Sequence, residues 1–153
     1  MCTDVVDAAT RSRMMSRIRG KDTAVEVAVR RQLHSLGYRF RLHRKDLPGR
    51  PDIVLPGYRT AIFVHGCFWH RHAGCAYATN PATRPAFWQA KFAANVRRDA
   101  AAVEKLLSNG WSVVVIWECA VSVEGLGQGD LQRLLAWLDA HATTSSPASL
   151  EIP

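Results

Sequence analysis

Between Phe63 and Cys75 the chain sets His65, His70 and His72 among Cys67 and Cys75, with Phe68 and Trp69 side by side in their midst. Thiolate sulfur and imidazole nitrogen together suit zinc, which takes four such donors in a closed structural site. If one histidine has another task, the fourth donor must come from elsewhere, and Cys119 is the candidate. A set of Cys67, His72, Cys75 and Cys119 would leave no open position, so the ion would clamp a loop and take no part in bond breaking. The Cys67–Cys75 spacing is not that of a zinc finger, and Cys119 alone would read as a buried thiol. Cys2 is assigned no role.

A second chemistry starts at Asp52. In Gly49-Arg50-Pro51-Asp52 a carboxylate follows a turn and opens an apolar strand, the way many nucleases present an aspartate to magnesium. A hard divalent ion there bridges to a phosphate. An aspartate after proline is also a common turn residue. The neighbouring strand reads Phe63-Val64-His65 where a Glu-x-Lys pair would normally stand, so it offers neither a second acid nor a lysine.

The charge agrees with an anionic partner. Residues 1–50 hold twelve Lys or Arg against five Asp or Glu and so carry the whole net charge of +7. A basic half on one chain points to a polyanion, most often nucleic acid, although a solvated surface would look similar. The length of 153 residues suits one domain over 1–142, with a basic segment at 1–20 and a small, polar, disordered tail at 143–153. No run of 18 apolar residues suggests a membrane span, and no apolar signal core precedes the basic segment. A cytoplasmic protein with reduced cysteines is therefore expected.

Several elements must position these groups. Thr23-Ala24-Val25-Glu26 is a capping-box sequence that opens a helix running to Gly37. Tyr38–His43 alternates like a half-buried strand. Asp52–Leu55 and Thr60–Val64 read as a hairpin that brings Asp52 and His65 to one sheet edge. A long helix is expected over 85–108, with Phe87, Trp88, Phe92, Val96, Val103, Leu106 and Leu107 as its apolar positions. Trp111–Trp117 is apolar enough for a central strand. Residues 126–129 read as a loop before a helix capped by Asp130. This order predicts an α/β sandwich with a central mixed sheet.

The motifs Leu47–Asp52, Phe63–His72, Thr83–Trp88, Asn95–Asp99 and Gly110–Cys119, in this order, closely resemble those of the very-short-patch repair (Vsr) mismatch endonucleases. The resemblance runs from about residue 8 to 120. It implies a restriction-endonuclease-like α/β/α fold with a structural zinc at Cys67, His72, Cys75 and Cys119. It also implies an enzyme that nicks double-stranded DNA 5′ to the thymine of a T·G mismatch, the lesion left when 5-methylcytosine deaminates. Asp52 and the main-chain carbonyl of Val64 would bind magnesium; the family often has Thr at that second position. His70 would be the general base, with Glu26 hydrogen-bonded to it, although a capping box already accounts for Glu26. His65 and Asp99 would lie near the scissile phosphate.

Phe68, Trp69 and Trp88 would wedge into the duplex beside the mismatch, where unstacking costs least; from periodicity alone Trp88 would be core. The basic segment, with Met14, Arg17 and Arg19, would clamp the opposite groove. Lys91 and Asn95 would read the mismatched bases, and Arg97 and Arg98 would meet phosphates or solvent. The interval from Cys67 to Cys75 is one residue longer than the family's, near Ala73-Gly74, where a glycine should absorb it. Implied partners are T·G-mismatched DNA, mismatch-repair proteins, a repair polymerase and a companion cytosine-5 methyltransferase, with the enzyme acting as a monomer. The rival readings are a zinc-stabilised DNA-binding module without catalysis and a nuclease of the same fold with another DNA target.

Overall fold

Thr23 starts the first helix as expected: its hydroxyl accepts from the Glu26 amide at 3.2 Å, and α1 spans Ala24–Ser35. This computed structural model describes residues 7, 9, 10, 22–142 and 146–153. Met14, Arg17 and Arg19 lie outside the described residues.

After α1 come β1 (Arg41–Leu42), β2 (Ile53–Leu55) and β3 (Thr60–His65), then helix α2 (Pro85–Ser108) and strand β4 (Ser112–Trp117). A short hairpin, β5 (Val121–Ser122) and β6 (Gly125–Leu126), leads to α3 (Gln128–His141) and finally β7 (Ser149–Ile152). The main sheet has the order β1-β2-β3-β4-β7. β1, β2 and β3 are antiparallel neighbours, whereas β3–β4 and β4–β7 are parallel. Val29 and Leu33 of α1 and Leu134 and Leu138 of α3 pack on one face with Ile62, Val114, Ile116 and Ile152. Ala102 and Leu106 of α2 pack on the other with Ala61, Phe63 and Val113. The result is an α/β/α sandwich around a mixed sheet.

Two registers build the functional end. Ile53 lies opposite Ile62 in the antiparallel pair, which brings Asp52, just before β2, beside the last residues of β3. In the parallel pair His65 is level with Trp117. The loop after β3 and the turn after β4 therefore leave the sheet at the same end, and Cys67 and Cys119 come within reach of one another.

Three local expectations change. The strand expected over Tyr38–His43 pairs only at Arg41–Leu42. Tyr38 and Phe40 do pack on the core, but β2 ends at Leu55 and a 3-10 turn begins at Pro56, whose missing N–H ends the ladder. The last helix begins earlier than expected, with Gly127 at its N-cap and Asp130 in its first turn, where a carboxylate faces the positive end of the helix dipole. The tail is not disordered throughout. Residues 149–152 extend the sheet beside β4, and Ile152 is fully buried. The alternation of Leu150 and Ile152 is too short to stand out beside the polar stretch before it. Ile152→Ala should destabilise the protein by about 2–4 kcal/mol, the usual cost of such a cavity. A shift of the chemical-denaturation midpoint measures this, and an unchanged midpoint would mean that β7 adds nothing to the core.

Candidate active site and metal centre

The end of the sheet opens into a cleft of about 940 Å³ lined by Glu26, Arg50, Asp52, Val64, His65, Trp69, His70, Asp99 and Glu118, among others. Asp52 enters from the turn before β2. Gly49, at φ +73°, lets that turn lie close to α2: a Cβ there would stand 2.6 Å from the Ala102 Cβ. The Asp52 carboxylate accepts from the Val64 amide at 2.7 Å. Burial raises its pKa to about 6 against the pull of that hydrogen bond, and the Glu26 charge raises it further. Glu26 is 4% exposed. The second carboxylate that the neighbouring strand lacks thus arrives from α1.

His70 corrects one expectation. Its Nδ1 lies 2.6 Å from Asp99 Oδ2, so Asp99 of α2, and not Glu26, orients the imidazole. The Glu26 carboxylate instead accepts from the Asp22 amide at 3.0 Å and lies 3.7 Å from His43 Nε2. His65 stacks on His70 with ring centres 3.9 Å apart and planes 3° from parallel. Two stacked imidazoles resist carrying two charges. Burial and the neighbouring His70 push the His65 pKa down to about 4, so His65 stays neutral.

Behind this pair, Cys67, His72, Cys75 and Cys119 present four donor atoms that all lie within 4.8 Å of one another. His72 Nδ1 is 3.5 Å from Cys67 Sγ and 3.4 Å from Cys119 Sγ. Tetrahedral zinc with ordinary bond lengths would separate sulfur and nitrogen by about 3.5 Å. The donors therefore fit a thiophilic cation, and zinc suits this Cys3His set. Burial pushes the Cys67 thiol up to about 12, a penalty that a bound cation reverses by stabilising the thiolate. His72 also stacks on Trp117 at 4.3 Å. Gly74 takes φ +73° with open space around it.

Arg71 and Glu118 brace the loop of metal donors in a way that residue types alone did not reveal. Arg71 has φ +57°, and this left-handed turn sends His70 and His72 to different partners. Its guanidinium donates to the carbonyls of Thr79 at 2.9 Å and Ala78 at 3.1 Å and to Asn80 Oδ1 at 2.8 Å, closing the loop on itself. Glu118 Oε1 accepts from the Cys67 amide at 2.9 Å. Its place between Trp117 and Cys119 was the one available signal.

The aromatics gather at the cleft's rim. Phe68 meets Trp69, Trp88 and Phe92 edge-on at 5.1–5.7 Å, and Trp69 lies 5.9 Å from Trp88. Only Phe92 of this group is buried; Phe87 and Val96 of α2 are 47% and 45% exposed. The first half of α2 is therefore not core. Lys91 Nζ lies over Trp69 at 5.8 Å. Asn95 donates to the Trp69 carbonyl at 3.0 Å, and its Oδ1 accepts from Arg98, so here Asn95 holds the loop that carries Phe68 and Trp69. Arg97 is exposed.

A family model described as DNA mismatch endonuclease Vsr matches residues 3–76. The chain is 47% identical to the DNA mismatch endonuclease Vsr of Escherichia coli over 77% of its own length and 75% of the relative's. It is also 47% identical to the Type II nicking enzyme V.XorIIP of Xanthomonas oryzae, over 87% of the chain and 97% of the relative. V.NmeAIP of Neisseria meningitidis, another Type II nicking enzyme, is 38% identical over 87% and 94%. The chain belongs to the DNA mismatch endonuclease Vsr family. Its sandwich is the restriction-endonuclease-like fold of Vsr endonucleases, and DNA is the substrate class. No helix among the described residues is long and apolar enough to cross a membrane.

The raised pKa of Asp52 has a consequence for stability. Because the folded-state value of about 6 lies above the ordinary 3.8, ionising Asp52 opposes folding: its contribution to stability is most favourable at low pH and falls as pH rises from 3.8 through 6. Asp52→Asn should therefore stabilise the magnesium-free protein at pH 7.5 by roughly 1–3 kcal/mol, with the gain vanishing near pH 4. Denaturation at the two pH values checks this; an equal effect at both would show that charge is not the cause.

Proposed function

We propose that this Vsr endonuclease nicks double-stranded DNA 5′ to the thymine of a T·G mismatch, in a magnesium-dependent reaction, with zinc in a structural role at Cys67, His72, Cys75 and Cys119. The observation that carries the proposal is the convergence in one cleft of Asp52, Glu26 and the His70–Asp99 pair, bordered by half-exposed aromatics on a zinc-type loop.

Magnesium, held by Asp52 and the Val64 carbonyl, would neutralise charge on the phosphate. The residues of the chain do the rest. Asp99 accepts from His70 Nδ1–H, which leaves Nε2 bare to take the proton of an attacking water. As that ring becomes cationic, the Asp99 carboxylate stabilises it and neutral His65 keeps it flat in the cleft. Phe68, Trp69 and Trp88 would enter a base step, and selection arises because a mispair is cheaper to unstack than a matched pair. Lys91 would lie beside the displaced bases, and Met14, Arg17 and Arg19 would grip the duplex from the other groove. Glu26 acts beside Asp52, in place of the expected bond to His70.

The product would be a nick with a 5′-phosphate, passed to a repair polymerase and ligase, with mismatch-repair proteins as further partners. A cytosine-5 methyltransferase would create the methylated sites whose deamination supplies the substrate. A monomer suffices for a single-strand cut, and the reducing cytoplasm suits the free thiols Cys67, Cys75 and Cys119 among the described residues.

The test is to incubate T·G-mismatched, matched and branched duplexes with magnesium or with chelator and map the nicks. Cutting only 5′ to the mismatched thymine, and only with magnesium, is expected. No cut on any duplex would favour a DNA-binding module, and cutting of branched DNA alone another nuclease target. Asp52→Ala should abolish nicking while mismatch binding survives. His70→Ala should slow hydrolysis by at least about 100-fold and keep its zinc, measured by metal analysis. Loss of zinc from that variant would mean that the histidines are sorted wrongly.

A further inference from the structure

Beside Asp52, at the start of α1, lies a polar cluster that the cleft chemistry does not use. Asp22 sits at φ +54°, a left-handed conformation uncommon outside glycine, though aspartate adopts it more readily than most residues. Arg30 holds it from one side, with Nη1 2.7 Å from Asp22 Oδ1. His43 Nε2 holds it from the other at 3.3 Å. In this pose the Asp22 amide donates to Glu26 Oε2 at 3.0 Å, and the His43 ring lies 3.7 Å from the same oxygen. The His43 amide also donates to the main-chain carbonyl of Asp52 at 3.2 Å. One residue thus touches both acids, Glu26 through its ring and Asp52 through its backbone.

Asp22, Glu26 and His43 have the composition of a metal site, but Arg30 already occupies the Asp22 oxygen that an ion would need. The cluster carries its own cation. Arg30 and His43 are mostly shielded, with side chains 21% and 23% exposed, while Asp22 is 41% exposed, so the cluster acts through geometry more than through charge.

We propose that Asp22, Arg30 and His43 are positioning residues that orient Glu26 beside Asp52 and thereby set the rate of cleavage. A carboxylate on the first turn of a helix has several rotamers open to it. Here the Asp22 amide and the His43 ring select one, and Arg30 holds Asp22 so that its amide stays aimed. Without this frame, Glu26 would be free to turn away from the Asp52 carboxylate. The inference rests on the magnesium-dependent nicking proposed above.

The experiment is single-turnover nicking of T·G-mismatched duplex across a magnesium titration, together with mismatch binding and thermal melting. His43→Ala and Arg30→Ala should each slow cleavage at saturating magnesium by about 10-fold or more, the usual effect of losing a partner that supports an active-site ligand. Mismatch affinity should stay within about twofold, and Arg30→Lys should recover most of the rate. The decisive readout is a double-mutant cycle. In a Glu26→Gln background, the same substitutions should slow cleavage by less than about twofold, because the residue they act through is already disabled. Wild-type rates for both single variants would overturn the proposal, and so would effects that multiply fully with Glu26→Gln. If His43→Ala does not fold, Arg30→Ala and Asp22→Asn carry the same cycle. Normal nicking by Glu26→Gln alongside a dead Asp52→Ala would defeat this inference alone, whereas nicking by Asp52→Ala would defeat the functional reading beneath it.

Discussion

The parallel ladder between β3 and β4 is the constraint from which the rest of the functional end follows. Its register sets His65 level with Trp117, and with that single alignment the loop after β3 meets the turn after β4. Cys119 then faces Cys67 and His72, Glu118 reaches the Cys67 amide, and the Trp117 ring supports both His65 and His72. A slip of one residue would turn every side chain of the strand to the opposite face, separating the four metal donors and the histidine pair together. Burial on both faces by Ile62, Val114 and Ile116 on one side and Ala61, Phe63 and Val113 on the other makes such a slip costly.

Within that frame the electrostatics are deliberately uncomfortable. Asp52 and Glu26 are two acids in one half-closed cleft, and burial works against ionising Asp52. His65 is a buried base kept neutral by desolvation. Such conflicts are tolerated where a cation or an anionic substrate relieves them, and they cluster at active sites for that reason. The Cys3His set shows the same pattern, with a buried thiol that only a metal would ionise.

Helix α2 joins the core to the substrate surface. Its second half behaves as an amphipathic helix, burying Ala102 and Leu106. Its first half buries only Phe92 and leaves Phe87, Val96 and part of Trp88 toward solvent. Asp99 lies between the two and holds His70. One rigid rod thus ties the packing of the sheet to the aromatic rim and to His70. Asn95 fastens the loop of Phe68 and Trp69 to the same rod through the Trp69 carbonyl.

Local signals were sufficient wherever a feature is local. Periodicity with Pro85 at one end and Gly110 near the other marked α2 at the bounds it has, and Thr23 marked the start of α1. The density of donors in 63–75 marked the metal loop, and the family's motifs named the chemistry. Tertiary structure decided which distant groups share a space. It placed Asp99 on His70 where Glu26 was expected, brought Glu26 to Asp52, left Phe87 and part of Trp88 toward solvent, and recruited residues 149–152 into the sheet. The reason is physical. A hydrogen bond between residues 29 apart in sequence depends on the strand register and the helix crossover that bring them together, and neither leaves a trace in the residues nearby. A histidine and two nearby carboxylates can be listed from the sequence, but only the packed fold chooses the pair.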